Sequence, residues 1–475
     1  MSTTTIAPTF EEATYRKAAG RLIPFLFLCY IVAFLDRVNV GFAKLQMASD
    51  LGFSDDIYGF GAGIFFIGYF LFEVPSNLVL HRVGARMWIA RIMVTWGLIS
   101  GAMAFTERLA RVTGLETETV FHLLRFLLGA AEAGFFPGVL LYLTYWYPPH
   151  RQSRAIALLL MAQPFAFVFG APLSGAIMEG FGGAQGMHGW QWMFIIEAIP
   201  AVLLGLWVLL RLDNRIDEAK WLSPAEKQLL SDRLSHGLGT RSDFPLRRLF
   251  AIPAMWLFTV ILFCIVTGVY GINFWLPTLI GGTGIGSVLL IGGITAACYF
   301  SSAVLSFFVT RNAERINEKR WHAAGAAILG GCCLALSAAW TDSTLLTAVL
   351  LSMATTGALV TTALFWSFPG SLLSGAGVAA GLAAINSIGN LGGFVGPYLL
   401  GLLTTWLGNR TAGVGVLGGF MMFAGVLIAV FCRGYGLRRR DGSAAPHEQS
   451  LQQAEHQQQH TDDDTRPPRT QGTVE

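Results

Sequence analysis

The stretch from Leu22 to Gln46 reads LIPFLFLCYIVAFLDRVNVGFAKLQ, and its reading decides the fold. It is apolar almost throughout and long enough, as a helix, to cross a bilayer core, which takes about 20 residues. Only Asp36 and Arg37 interrupt its apolar character well inside the run. The segment before it is polar and shows no cleavable signal pattern, so the run is expected to be retained as a membrane span.

Working outward, segments of the same kind recur at 57–80, 87–106, 119–147, 153–180 and 191–211. A polar stretch follows, and then six more at 251–280, 286–310, 321–340, 344–369, 376–406 and 411–433. None shows the alternation over about ten residues that marks a strand of a membrane barrel. The expectation is an all-α membrane protein of twelve transmembrane helices in two six-helix pseudo-repeats. Its parts are a cytoplasmic segment 1–21, a six-helix bundle 22–211, a cytoplasmic linker 212–250, a second bundle 251–433 and a disordered cytoplasmic tail 434–475.

Composition supports this. Of 475 residues, 53% are hydrophobic and 13% charged, against about 25% charged in a soluble domain. A soluble multidomain enzyme is excluded, and a net charge of +3 is too small to indicate a nucleic-acid partner. The six cysteines lie in apolar stretches without metal-like spacing and read as reduced core residues. No motif calls for a cofactor or a metal.

Lys and Arg set the orientation. With the N-terminus in the cytoplasm, 25 of the 32 basic residues fall on that side, four fall outside and three lie within spans. Both termini are therefore expected inside. In the linker, Ser223 and Pro224 followed by Glu226 mark a helix start, read as an amphipathic helix along the cytoplasmic face. The Gln-rich tail cannot bury a core.

The two halves carry an internal repeat. NLVLHRVGAR from Asn77 to Arg86 and TRNAERINEK from Thr310 to Lys319 both join the second and third helices of their half. Arg82 pairs with Arg315, with Gly84, Arg86 and Glu314 in the same loops. The fifth helices pair Gly170 and Pro172 with Gly396 and Pro397, where close packing and bending are expected. Duplicated bundles suit a carrier that rocks one half against the other around a central site.

Ionisable groups inside a span are costly and usually functional. Arg37 stands about 22 Å from the inner end of helix 1 and Arg125 on helix 4 about 21 Å from the inner surface, so they share a height. Glu132 follows Arg125 by two turns on one face. Asp36, Arg37, Arg125 and Glu132 sum to zero charge, and protonating either acid leaves a positive site suited to a carboxylate. Two ion pairs that merely lock helices together would read the same. Arg91 is expected to snorkel, and Glu197 to pack or anchor a loop rather than to couple protons. Tyr69, Gln163, Asn386 or Asn390, and Trp366 with Ser367, are polar or aromatic residues expected near mid-depth that could complete a cavity. YGINFWLP from Tyr270 to Pro277 has the aromatics and proline of a gate.

Several stretches resemble the major facilitator superfamily, and within it the anion:cation symporter family. They are FLDRVNVGFA from Phe34, GYFLFEVPSN from Gly68, RFLLGAAEAGFFPG from Arg125, GWQWMF from Gly189 and NSIGNLGGFVGP from Asn386. The likeness runs from about residue 20 to 433 and is greatest to tartrate and 4-hydroxyphenylacetate permeases. It implies proton-driven import of a small organic anion across a bacterial inner membrane; a monomer in the lipid bilayer is expected. It also implies proton coupling at Asp36 and Glu132, carboxylate binding at Arg37 and Arg125, and substrate contacts at Tyr69, Gln163 and Asn390. Two departures concern gating: His81 stands where the superfamily has an acid, and Asn317 where it has a glycine.

Two arginines favour a dicarboxylate or a hydroxy or sugar acid such as tartrate, while nearby aromatics would suit phthalate or 4-hydroxyphenylacetate. A non-transporting sensor would need a large cytoplasmic domain, and the polar segments are short. An intramembrane enzyme would need a nucleophile or metal cluster, and His122 is the one histidine clearly inside a span. The chain is not read as an enzyme.

Overall fold

The computed structural model describes residues 9–235, 252–369 and 377–433, and these are helical with short connections. The expected tail 434–475 and the linker beyond 235 lie outside the described residues. In the first half, α1 (Phe10–Leu51), α2 (Asp55–Val83) and α3 (Ala85–Ala102) are followed by α4 (Thr106–Thr113). Then come α5 (Thr117–Glu132), α6 (Phe135–Thr144), α7 (Pro149–Leu160), α8 (Ala162–Gly180) and α9 (Gly189–Arg211). The linker forms α10 (Pro224–Ser235). The second half comprises α11 (Pro253–Gly281), α12 (Val288–Arg315), α13 (Arg320–Ser337), α14 (Thr344–Phe365), α15 (Gly377–Gly389), α16 (Gly392–Leu407) and α17 (Arg410–Phe431).

Ten helical stretches among the described residues are long and apolar enough to cross a membrane. The other two expected crossings are α13, which is short and begins with Arg320 and His322, and the pair α15–α16, which is one span broken in two. The chain is thus an all-helical, multi-pass membrane protein.

Helix 1 is much longer than its apolar run. Thr9 and Glu12 form a reciprocal capping box that starts it twelve residues early, satisfying two of the free N–H groups at the helix start. Gly52, at φ +70°, ends it.

Three spans break where no interruption was foreseen. Helix 4 splits at Ala133–Gly134, between α5 and α6. Gly134 has φ +86°, and a Cβ there would stand 2.2 Å from the Ser76 hydroxyl oxygen, so only glycine fits. The eleventh span splits at Asn390–Leu391. The bends expected at Pro172 and Pro397 do not interrupt their helices; the fifth span breaks earlier, at Met161, between α7 and α8.

The close packing expected around those prolines is present. α8 lies along α12 and α2 along α16, while α1 meets α11. A Cβ on Gly292 would come within 2.5 Å of the Ala171 carbonyl oxygen, and one on Gly401 within 2.2 Å of the Asp55 carbonyl oxygen. These seams join the two halves near one end of the bundle, called here the distal end. The opposite, linker end carries Gly84, Arg211 and α10.

The loops of the repeat share a positive φ at matching positions. Gly84 has φ +92° with ψ 150°, a conformation open to glycine, and Asn317, its counterpart, has φ +53°, which asparagine tolerates. The helix start read at Ser223 and Pro224 is present as α10, which docks on α1. Lys17 donates to Glu226 at 2.8 Å, and Glu11 bridges Arg233 and Arg151 at 2.6 and 3.3 Å. Trp221 stacks on Trp146 with centroids 5.6 Å apart.

Candidate functional site

Adjacent residues on a helix point about 100° apart, and α1 uses this to send Asp36 and Arg37 to different neighbours. The Asp36 carboxylate is buried against α3, accepting from Ser100 Oγ at 2.8 Å and Trp96 Nε1 at 3.1 Å. Arg37 points the other way. One terminal nitrogen forms an ion pair with Glu132 on α5, and the other lies 3.4 Å from the Tyr270 hydroxyl on α11. The four-charge cluster expected from the sequence is therefore divided, with Asp36 behind helix 1.

Aromatic rings surround the Arg37 guanidinium. Phe34, Phe65 and Tyr69 have centroids 5.2, 5.3 and 5.4 Å from its central carbon. Such faces attract a cation and exclude water. Arg125 lies beside them, fully buried, 5.2 Å from the same Phe65 ring. It donates to the backbone carbonyls of Gly61 and Ala62 on α2 at 3.1 and 3.3 Å. One of its terminal nitrogens has no partner, and neither does the Arg37 Nε. Arg37, Arg125 and an ionised Glu132 sum to one positive charge, and protonation of Glu132 would raise this to two. Orphaned guanidinium donors held by fixed carbonyls and rings form a ready anion site, since arginine recognises carboxylates in bidentate fashion.

The break after Glu132 bears on this site. α5 ends there, so its free carbonyls and the negative end of its dipole lie near the arginines. Broken helices inside a membrane occur where backbone is buried in protein or lines a cavity.

The remaining candidates are spread out. Tyr69 joins the Arg37 cage. Gln163 sits half-buried in the first turn of α8, and Asn390 is half-buried in the break between α15 and α16, its carbonyl accepting from Gly393 N at 2.9 Å. Trp366 was expected at mid-depth, but it lies just past the end of α14, 38% exposed, with its ring against Phe365. Helix 10 stops sooner than its apolar run, which moves Trp366 to the helix end. Among the described residues no ion pair involves Arg82, Glu314 or Arg315, and the Arg86 backbone N–H donates to Asn214 of the linker at 3.0 Å.

Sequence reasoning missed a second charged group. Lys44, one of the four basic residues counted on the outside, is buried near the distal end because α1 runs on to Leu51. It donates to Asp55 at 2.6 Å and stands 3.3 Å from the Trp275 ring centroid, while Arg410 reaches Asp55 from the other half at 3.4 Å. The Tyr58 hydroxyl donates to the Phe274 carbonyl at 2.9 Å, and Thr405 and Asp56 hydrogen-bond at 2.9 Å. Tyr58, Phe274 and Trp275 thus shut the distal side, with the last two drawn from the stretch expected to gate. The extra length of α1 beyond its apolar run was the available signal, through Gly52 as a helix stop.

Comparison with known proteins agrees with this architecture. Residues 26–397 match the Major Facilitator Superfamily. An Agrobacterium vitis protein named as a tartrate transporter is 43% identical over 426 residues, 89% of this chain and 92% of that one. A Pseudomonas putida protein named as the metabolite transport protein NicT is 42% identical over 419 residues, 88% and 94% of the two chains. The crystal structure of a D-xylose–proton symporter shares the fold, with a TM-score of 0.70 at 14% identity, covering 90% of this chain and 99% of that chain.

Proposed function

The chain belongs to the Major Facilitator Superfamily, and from that premise we propose that it is a proton-coupled symporter importing a small organic anion. The substrate is a dicarboxylate or a hydroxy or sugar acid such as tartrate. The observation that carries this reading is the buried Arg37–Glu132 pair beside the partly unpartnered Arg125. A proton on Glu132 discharges the pair and frees Arg37 to hold a substrate carboxylate, with Arg125 available for a second. Loss of that proton restores the pair and expels the anion, so binding of one species requires the other. Asp36, which ties α1 to α3 directly behind Arg37, takes the second coupling proton.

Alternating access then moves the site between the two faces of the membrane. The relative named for tartrate supports that substrate class, and Tyr69, Gln163 and Asn390 complete the contacts once the halves close. Trp366 at a helix end contributes to the mouth of the path rather than to the site. Arg82, Gly84, Arg86, Glu314 and Arg315 serve the gate at the linker end. The protein works as a monomer in a bacterial inner membrane, with both termini and the linker in the cytoplasm.

A second reading, an aromatic acid such as phthalate or 4-hydroxyphenylacetate, draws on the rings of Phe34, Phe65 and Tyr69 around Arg37. Uptake of labelled tartrate into proteoliposomes, with these acids as competitors, decides between them. Accumulation should follow an imposed pH gradient and vanish in Asp36→Asn and Glu132→Gln. Arg37→Ala leaves Glu132 buried and unpaired, a change worth about 3–5 kcal/mol, and should weaken binding by at least about 100-fold. Uptake indifferent to the pH gradient would overturn the coupling.

A further inference from the structure

On the side of α1 away from Arg37 lies a polar group that the transport reading does not use. Glu197 on α9 is buried; one of its oxygens accepts from Ser174 Oγ on α8 at 2.6 Å, and the other meets no donor. Asn39 on α1 stands close enough to interact with the Glu197 carboxyl. Yet both polar atoms of its side chain are buried without a well-formed hydrogen bond.

Asn39 and Ser174 also line a narrow cavity of about 10 Å³, room for about one water, at the seam where α1 and α8 meet α11 and α12. From the opposite wall come Asn273 and Thr295. Asn273 Oδ1 accepts from the Tyr299 hydroxyl at 2.8 Å, which leaves its Nδ2 unpartnered, as is the Thr295 hydroxyl. Buried polar groups normally find partners. Here several without one face each other across a seam between two halves that must part during transport.

We propose that Glu197 is a proton-binding residue whose charge state sets the polarity of Asn39, and through it the strength of this seam. An amide offers a donor at one end and an acceptor at the other. An ionised carboxylate only accepts, so it takes the Asn39 NH2 and leaves Oδ1 facing the cavity. There Asn273 Nδ2 donates to it, directly or through one water. A proton on the free Glu197 oxygen turns that oxygen into a donor. It then takes Asn39 Oδ1, and the Asn39 NH2 is left facing the Asn273 NH2, donor against donor. Ionised Glu197 holds the distal seam, and protonated Glu197 loosens it.

The charged neighbour of Glu197 on α1 is Asp36. α8 presents the Ser174 hydroxyl, and α3 presents Trp96 and Ser100, which hold Asp36. The relay uses neither Arg37 nor the substrate, so its test is separate from that of transport.

The experiment is hydrogen–deuterium exchange on the full chain in lipid nanodiscs without substrate, between pH 5 and 9, corrected for the intrinsic exchange rate. The readout is protection of residues 171–180 and 288–295. In the wild type, protection should fall several-fold as the pH is lowered. Glu197→Gln should show the low value at every pH, Glu132→Gln should keep the wild-type step, and Asp36→Asn, which removes the charged neighbour, should keep a step at a shifted pH. If Glu197→Gln fails to fold, Asn39→Ala tests the same relay and should also give a flat profile. A wild-type profile without a step, or a step surviving in Glu197→Gln or Asn39→Ala, overturns the proposal.

Discussion

At the distal end the two halves meet backbone to backbone. Gly292 sits on the Ala171 carbonyl, Gly401 sits on that of Asp55, and Lys44, Asp55 and Arg410 form a charged clasp over the aromatic plug. At the linker end the paired loops present Arg82 and Arg315 without ion pairs among the described residues, and the ion pairs run instead from α10 and from α7 to α1. Arg410–Asp55 is the one ion pair among the described residues that joins the first half to the second. One end is thus closed by shape and charge together, while the other is braced within its own half. The difference teaches that glycine and buried charge do separate jobs: glycine permits contact, and charge makes that contact specific and reversible.

The sharpest way to break the contrast is steric. Gly401→Val places side-chain atoms where even a Cβ meets the Asp55 carbonyl, and overpacking costs about 1–3 kcal/mol or more. Uptake should be abolished while size-exclusion behaviour stays normal; wild-type uptake would show that this seam need not close.

A smaller effect is expected at the clasp. Asp55→Asn leaves Lys44 buried without its counter-charge, by about 3 kcal/mol on the scale of broken buried pairs. Faster hydrogen exchange at the start of α2 should report a distal end that opens more often, with uptake reduced but present.

The smallest effect belongs to the linker end. The Lys17 hydrogen bond holds the exposed Glu226 carboxyl below its ordinary value of 4.5. The link is present at neutral pH and is lost only as pH falls through that lowered value. Glu226→Gln should change the melting temperature little, since exposed pairs contribute about 0–1 kcal/mol. A large loss would mean that the brace is as essential as the clasp.

Much of this was legible in the sequence. Apolar runs located the helices, and depth arithmetic put Arg37 and Arg125 at one level, with Glu132 two turns further along the same face. What it lacked was direction around the helix: Asp36 and Arg37 share a depth, yet neighbouring positions diverge by about 100° and pack against different partners. Hydropathy alone also misses a break such as Met161, although Pro164 in the first turn of α8 clashes with the Leu160 carbonyl four residues back, and it cannot tell a buried lysine from an exposed one. Lys44 and Asn317 show the two sides of this. The first was misplaced because burial depends on a partner, Asp55, that lies beyond the next turn. The second departs from the motif by residue type but keeps a positive φ.

Helix α1 carries Lys17 at the linker brace, Arg37 at the proposed anion site and Lys44 at the distal clasp. Its 42 residues make a rod about 63 Å long at a rise of about 1.5 Å per residue. A tilt of roughly ten degrees about its middle would carry the two ends about 5 Å in opposite directions, while the site, nearer the pivot, moves far less. A single rigid-body motion could then unseat a clasp and strain a brace while barely disturbing a bound anion, so that one lever times the two gates against each other.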